Sequence, residues 1–436
     1  MSEKLLYVKT FGCQMNVHDS EKLKGVYTEH GYGITDLPDA ADVIIINTCS
    51  VRQKAEQKFY SELGRLRLLK QHKPKLDIVV VGCIAQQEGK KILSRFPYVS
   101  FICGPGQIDK VAERLKGTYC HVTALEESDH YTSMTLPVKR ESQFKAFLSI
   151  MYGCDNFCSY CVVPFTRGRE RSRPIKEILL EAESLASDGV KEVTLIGQNV
   201  NSYGKGLDKG TDFPFLLEQI NKINGIERIR FVTSHPRDLT GRLIDAMANL
   251  PKVCEHIHLP LQSGSAKVLK RMNRGYTYAM YEDKISALRS KIPDIAITSD
   301  FIAGFPGESD DDFIMTLMAI QTIQFDGIFA FTYSNRPFTR ALTLDGHLSE
   351  TVKKERLTEL LKLQDEITYA KNLALEGKTF EVLVEGQSET HKEIFTGRTR
   401  TNKIVNFYPK TKGVTGTFVM IKVIRGKMHS LDGEIV

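Results

Sequence analysis

Short, nearly unbroken apolar runs recur along the first quarter of the chain, and their spacing leaves room for one helix between each pair. Leu5-Leu6-Tyr7-Val8, Val43-Ile44-Ile45-Ile46, Ile78-Val79-Val80-Val81 and Val99-Ser100-Phe101-Ile102 carry few polar side chains on either face. A strand of that kind must be covered on both sides, as parallel strands flanked by helices are. Run starts stand roughly 20 to 40 residues apart, which suits a crossover helix each time and predicts a doubly wound α/β domain over 1–120. Residues 121–142, with Pro137, break the rhythm and read as a linker.

A second α/β pattern follows. Strand-like runs at 146–151, 192–196, 228–233, 256–259, 295–301 and 327–331 alternate with helix-length segments, predicting a partial (β/α)6 barrel within 143–371. Residues 351–376 read as an amphipathic helix leading out of it. Beyond Gly377 the texture becomes short strands and Gly-containing turns, so 372–436 are expected to form a small antiparallel β-barrel. With 42% hydrophobic and 26% charged residues in 436, the chain is globular throughout rather than disordered. The start has no signal-peptide apolar core, and no stretch approaches the roughly 18 apolar residues of a spanning helix. A cytoplasmic protein with no membrane partner is expected, in which nine cysteines stay reduced and serve metal binding rather than disulfides.

Three of those cysteines stand in equivalent places: Cys13, Cys49 and Cys83 each follow an apolar run. Ends of parallel strands gather at one edge of a doubly wound sheet, so the three thiols can converge there. A lone cysteine in such a place reads as a small buried hydrophobe, and three together favour a 4Fe–4S cluster. Gly12 and Gly82 give the backbone room to approach it. Cys103, Cys120 and Cys254 lack this placement and read as ordinary thiols.

A second set is compact: Cys154-Asp-Asn-Phe-Cys158-Ser-Tyr-Cys161. Structural zinc normally takes a fourth Cys or His and paired knuckles, whereas electron-transfer clusters usually take four cysteines. Three thiolates on an irregular loop ligate three irons and leave one open for a small molecule, for which S-adenosylmethionine is the candidate.

These two cysteine sets, in this order and followed by a terminal barrel like a TRAM domain, resemble the radical-SAM methylthiotransferases over essentially the whole chain. Phe11-Gly-Cys-Gln-Met-Asn16, Leu195-Ile-Gly-Gln-Asn-Val-Asn-Ser-Tyr203 and His258-Leu-Pro-Leu-Gln-Ser-Gly-Ser265 are similar to the branch acting on tRNA N6-isopentenyladenosine at position 37. The branches acting on threonylcarbamoyl-adenosine or on a ribosomal-protein aspartate usually carry Lys-Val-Asn or Pro-Lys-Asn after the first cysteine. One departure is Tyr333-Ser-Asn-Arg-Pro-Phe-Thr-Arg-Ala341, where the family commonly shows a Ser-Pro-Arg-Pro-Gly-Thr-Pro-Ala pattern after the tyrosine.

The resemblance implies two 4Fe–4S clusters, one on Cys154, Cys158 and Cys161 and one on Cys13, Cys49 and Cys83. It also implies two S-adenosylmethionine molecules, as methyl donor and as radical source, with an external electron donor and a sulfur donor. Tyr160 is expected to pack on the adenine of S-adenosylmethionine. Gln198, Asn199 and Gln262 follow strands, where barrel enzymes collect functional groups, and Asp300, Gly304 and Gly307 offer an acceptor and close backbone approach. His256 and His258 share one strand face and read as packing or hydrogen-bonding groups.

Lys and Arg exceed Asp and Glu by six, a mild excess that permits a polyanionic partner. Half of it lies in residues 373–436. Arg167, Arg169 and Arg171 in one basic run, and Arg398, Arg400 and Lys403 in another, are expected to contact the tRNA anticodon stem-loop. A different class of function, an iron-sulfur RNA-binding protein without turnover, stays open on the residues alone.

Overall fold

The computed structural model describes residues 3–50, 53–125, 136–389, 391–409 and 413–436, so part of the expected linker, 126–135, lies outside the described residues. The chain divides into two compact units. No helix among the described residues is long and apolar enough to cross a membrane.

The first unit gathers Met1–Ser142 with Tyr152–Asp155 and Cys161–Glu170. Its strands are β1 (Lys4–Thr10), β2 (Tyr32–Ile34), β3 (Val43–Thr48), β4 (Asp77–Gly82), β5 (Phe101–Cys103) and β6 (Thr123–Ala124). They form one parallel sheet in the order β2-β1-β3-β4-β5-β6. The connecting helices are α1 (Gln14–Glu29), α2 (Gln53–His72), α3 (Cys83–Glu88), α4 (Lys90–Arg95) and α5 (Asp109–Leu115). Each sheet face has its own core: Ile44, Ile46, Ile78 and Val80 on one, Val43, Ile45, Val79 and Val81 on the other. That two-sided burial is what the unbroken apolar runs demand. The order reverses between β1 and β3, where a crevice opens at the carboxyl ends of a doubly wound sheet. β2 and β6 are short edge strands without an apolar run, and β6 falls inside the stretch read as linker.

The second unit gathers Gln143–Met151, Asn156–Tyr160 and Arg171–Val436. After β7 (Lys145–Ser149) come the short strand β8 (Met151–Tyr152), helix α6 (Val163–Thr166), which belongs to the first unit, and the short strand β9 (Arg171–Ser172). The repeat continues with α7 (Ile175–Ser187), β10 (Glu192–Ile196), α8 (Phe213–Asn221), β11 (Arg228–Phe231), α9 (Gly241–Asn249) and β12 (His256–His258). It ends with α10 (Ala266–Arg271), α11 (Tyr278–Lys291), β13 (Ala296–Ala303), α12 (Asp310–Ile323), β14 (Gly327–Thr332) and α13 (Glu350–Leu373). Two parallel three-stranded sheets, β7-β10-β11 and β12-β13-β14, are linked by an isolated bridge from Ile229 to Val253. The six strands therefore run in sequence order around an open barrel, with a core including Leu148, Val193, Leu195, Ile229, Ile257, Ile297 and Phe301.

The terminal strands β15 (Thr379–Gln387), β16 (Phe395–Thr399), β17 (Ile404–Phe407), β18 (Phe418–Gly426) and β19 (Leu431–Ile435) close a five-stranded barrel in the order β15-β16-β17-β19-β18. It is not wholly antiparallel as expected: β19 closes the barrel by running parallel to β17. Val382, Val384, Val405, Phe407, Ile421, Val423 and Leu431 fill it.

Two buried arginines hold this barrel to the strands beneath it. Arg228 donates to the carbonyl oxygens of Arg398 at 2.9 Å and Glu381 at 3.1 Å, and to the Glu381 carboxylate at 2.7 Å. Arg230 donates to the carbonyls of Arg400 at 2.8 Å and Thr399 at 2.7 Å, and to Glu192 at 2.9 Å. Burial pushes the Glu192 carboxyl up, but Arg230, Lys145 and Arg228 outweigh it and hold the group below its ordinary value. Breaking a buried pair strands the remaining charge. Arg230→Met should therefore cost about 3–5 kcal/mol, read as a lower urea midpoint, and an unchanged midpoint would deny it the docking role.

Candidate metal centres

In the first unit Cys13 is the N-cap of α1, Cys49 follows β3, and Cys83 opens α3 directly after β4. All three thus stand at the carboxyl end of the sheet, and Cys13 and Cys49 flank the β1/β3 crevice. An amide pair fixes them. Asn16 Nδ2 donates to Asn47 Oδ1 at 2.8 Å and to the Thr48 carbonyl at 3.0 Å, and Asn47 Nδ2 donates to the Asn16 carbonyl at 2.8 Å. Asn16 Oδ1 in turn accepts from the Cys13 thiol at 3.3 Å.

The two glycines named from sequence serve this turn. A Cβ on Gly12 would lie 2.9 Å from Cys49 Cβ, and one on Gly82 would collide with the Thr48 carbonyl oxygen. Gly82 also has φ +98°, a left-handed backbone that side chains rarely adopt. A hydrogen bond from Cys49, opposed by burial and aided by Arg167, lowers the Cys13 thiol to about 6, and a thiolate is what iron binds. Ser50 Oγ, next to Cys49, is buried without a hydrogen-bond partner. The donor set and this orphan fit a cluster.

Arg167 corrects the sequence reading. Rather than facing RNA it is 7% exposed, pairs with Asp19 of α1 at 3.2 Å and lies over the Tyr152 ring at 5.1 Å.

The cysteines of 154–161 occupy a stretch with neither helix nor strand. In the first unit, the Cys154 amide donates to the Gly168 carbonyl at 3.2 Å, and Gly153, at φ +73°, packs so tightly on Arg169 that a Cβ would strike its carbonyl. In the second unit, Ser159 is held by the carbonyls of Met272 and Arg271 at 2.9 and 2.8 Å. Arg274, buried after α10, donates to Cys158 Sγ at 3.3 Å, Tyr160 Oη at 3.4 Å and the Pro260 carbonyl at 2.9 Å. Nothing local in the sequence marked Arg274 for this site, because Cys158 and Tyr160 lie more than a hundred residues upstream.

At the carboxyl ends of the barrel strands, the loop after β10 is tied to the loop after β11 by paired bonds between Asn201 and His235 at 2.8 and 2.9 Å. Asn199 donates to Asp238 at 2.7 Å, while Asn199 Oδ1, Ser234 Oγ and His235 Nε2 are buried without partners. Three orphaned polar atoms on two joined loops fit a polar ligand such as S-adenosylmethionine. Gln198 is half-buried beside them. Gln262, at φ +75°, exchanges backbone hydrogen bonds with Asp300 and Ile302. Tyr160 stands edge-on to Phe305 at 6.4 Å. The space left by Gly304 and Gly307 is taken by Lys353 and Arg271, so these glycines serve internal packing rather than ligand approach. In the loop that departs from the family pattern, Phe338 keeps a left-handed backbone, φ +67°, where that pattern has glycine, and its ring is 62% exposed.

The terminal basic run is also largely internal. Arg400 binds Glu255 at 2.8 Å and the carbonyls of Pro251 and Val253 at 2.9 and 2.8 Å. Lys403 pairs with Asp326 at 3.2 Å and Arg398 with Glu385 at 3.2 Å. Arg400 and Lys403 are thus corrected to docking residues. Arg169, paired with Asp155 at 2.7 Å, and Arg171 remain exposed.

Gly82→Ala should cost about 1–3 kcal/mol of stability and lower the iron bound by the first unit, measured on reconstituted protein; full iron content would show that the turn tolerates a side chain. His258 and His256 share the Thr298 hydroxyl at 3.0 and 3.4 Å, as the hydrogen-bonding reading expects. Burial, followed by Arg230, lowers His256 from 6.5 to about 3. The folded state thus prefers the neutral ring, so stability is complete above pH 6.5 and falls by about 1.4 kcal/mol per pH unit as pH drops towards 3. Urea midpoints at pH 7 and 5 should differ less in His256→Gln than in the parent.

Three family models match in sequence order: Uncharacterized protein family UPF0004 at residues 5–104, the Radical SAM superfamily at 148–320 and the TRAM domain at 373–436. A tRNA-2-methylthio-N(6)-dimethylallyladenosine synthase of Thermodesulfovibrio yellowstonii is 52% identical over 436 residues, covering all of both chains. One of Carboxydothermus hydrogenoformans is 46% identical over 441 residues, again covering all of both. Among solved structures, a radical S-adenosylmethionine methyltransferase from Kitasatospora setae aligns with a TM-score of 0.56 at 13% identity, covering 78% of this chain and 77% of that one, a likeness of fold. Full-length identity at this level, over a chain that carries one cysteine set at its strand ends and another in a loop, makes the protein a member of the radical-SAM methylthiotransferase family.

Proposed function

We propose that the protein methylthiolates C2 of N6-isopentenyladenosine at position 37 in the tRNA anticodon stem-loop, in the cytoplasm, with electrons from an external donor. The observation that carries this reading is the 52% identity, end to end, to a synthase named for that product. Cys154, Cys158 and Cys161 hold one 4Fe–4S cluster, and Cys13, Cys49 and Cys83 hold a second. When bound, the clusters and two S-adenosylmethionine molecules supply the 5′-deoxyadenosyl radical and the methylthio unit, chemistry that side chains alone lack.

The chain's own residues supply position and shielding. Arg274 orients Cys158 and Tyr160 together, so the thiol and the ring that meets the adenine keep one geometry. Asn199, Ser234 and His235 offer buried polar atoms to the rest of S-adenosylmethionine, with Gln198, Gln262 and Asp300 beside them. Burial pushes the His235 ring below its ordinary value and keeps it neutral; because its Nδ1 accepts from the Arg237 amide at 3.2 Å, its Nε2 carries the proton and donates. Residues 1–120, extended by β6, form the methylthiotransferase domain, 143–371 the radical-SAM core and 372–436 the RNA-binding barrel. Arg169, Arg171 and Arg398 meet the RNA backbone.

Anaerobic incubation of reconstituted protein with S-adenosylmethionine, a reductant and tRNA bearing isopentenyl- or threonylcarbamoyl-adenosine tests this by nucleoside mass spectrometry. A methylthio adduct on the isopentenyl tRNA alone is expected. An adduct on the other tRNA, or 5′-deoxyadenosine without any adduct, would overturn the substrate.

A further inference from the structure

Arg167 is buried where Arg169 and Arg171 are exposed, and the methylthio chemistry as described leaves it without a task. It ends α6, which packs on α3, the helix that Cys83 opens. Its Nη2 reaches Asp19, on the helix that Cys13 caps. Arg167 therefore stands between α3, on which its own helix packs, and α1, which its guanidinium binds, and all of these residues belong to the first unit.

Its bonding is incomplete. Arg167 Nη1 is buried and has no hydrogen-bond partner, and Asp19 Oδ1 has none either. A buried charged donor without an acceptor is costly, yet the fold retains this cation where a protein acceptor for its second nitrogen is lacking. Burial pushes the Asp19 carboxyl up, while the guanidinium keeps its proton throughout. An unfilled cationic donor close enough to interact with the Cys13 and Cys83 thiols calls for an anion that arrives with the thiols' own ligand.

From this placement, and resting on the reading that Cys13, Cys49 and Cys83 hold a cluster, we infer that Arg167 is the positioning residue of that site. Its free nitrogen holds a small anionic sulfur species, a hydrosulfide or a thiolate, among the three cysteines. The class of ligand follows from chemistry: a monoanionic sulfur accepts from a guanidinium and binds iron, and its charge balances the cation that Asp19 only partly offsets.

The test uses full-length protein carrying Cys154→Ala, Cys158→Ala and Cys161→Ala, reconstituted so that only the Cys13/Cys49/Cys83 set reports. Sodium sulfide is titrated while the cluster's paramagnetic resonance and absorption spectra are followed. Arg167→Met should weaken hydrosulfide binding by about tenfold or more, the scale of one charged hydrogen bond, with iron content unchanged, and Arg167→Lys should recover part of the loss. Asp19→Asn, which leaves the arginine and removes its competitor, should tighten binding. Iron bound in full with both Arg167→Met and Asp19→Asn titrating like the parent overturns the inference alone. If Arg167→Met binds no iron, the Asp19→Asn titration decides by the same criterion. A parent that binds no iron overturns the second cluster itself, and the inference with it.

Discussion

The paired bonds between Asn16 and Asn47, side chain to side chain one way and side chain to main-chain carbonyl the other, are the constraint on which the first centre rests. They join the first turn of α1 to the end of β3 across the crevice where the sheet's winding reverses. Without them the two loops would part, because each ends a strand whose hydrogen bonds run out at that edge. The amides are buried and reciprocally satisfied, so each is costly to remove alone. Ser20 extends the network, accepting from Asn47 at 2.9 Å and meeting the Thr10 hydroxyl at 2.7 Å. Three cysteines placed at separate strand ends thereby gain a common frame that no single loop could provide.

The second centre is organised on the opposite principle. Its cysteines are neighbours in sequence, and the chain there has no regular structure to fix them. Order is imported from residues far along the chain: Arg274, Met272, Arg271 and Asn273 grip the segment 156–160 through its carbonyls, hydroxyl and thiol. The loop thus stays irregular enough to wrap a ligand while its backbone groups remain satisfied.

Much of the fold was legible because apolar runs report burial directly. β3, β4 and β10 appear almost where the runs placed them, and the strand-end cysteines followed from parallel topology. What stayed hidden shares one physical cause. β2 and β6 are three- and two-residue edge strands whose burial is too partial to leave an apolar signature. The basic runs showed their sign but not their partners: Asp19 is 148 positions from Arg167, and Glu255 is 145 from Arg400. Charge is visible in a sequence, while desolvation depends on which distant segment folds over it.

The joint between the terminal barrel and the strands beneath it has a directional grammar. Arg228 and Arg230 address main-chain carbonyls of residues 381, 398, 399 and 400, groups that every amino acid carries. On that side of the joint the barrel is recognised by the path of its backbone, so its surface side chains are largely free to vary without loosening the attachment. Much of the information that fixes the barrel is written in one strand of the core, β11, which lets the barrel's outer surface drift and adapt while its mounting stays the same.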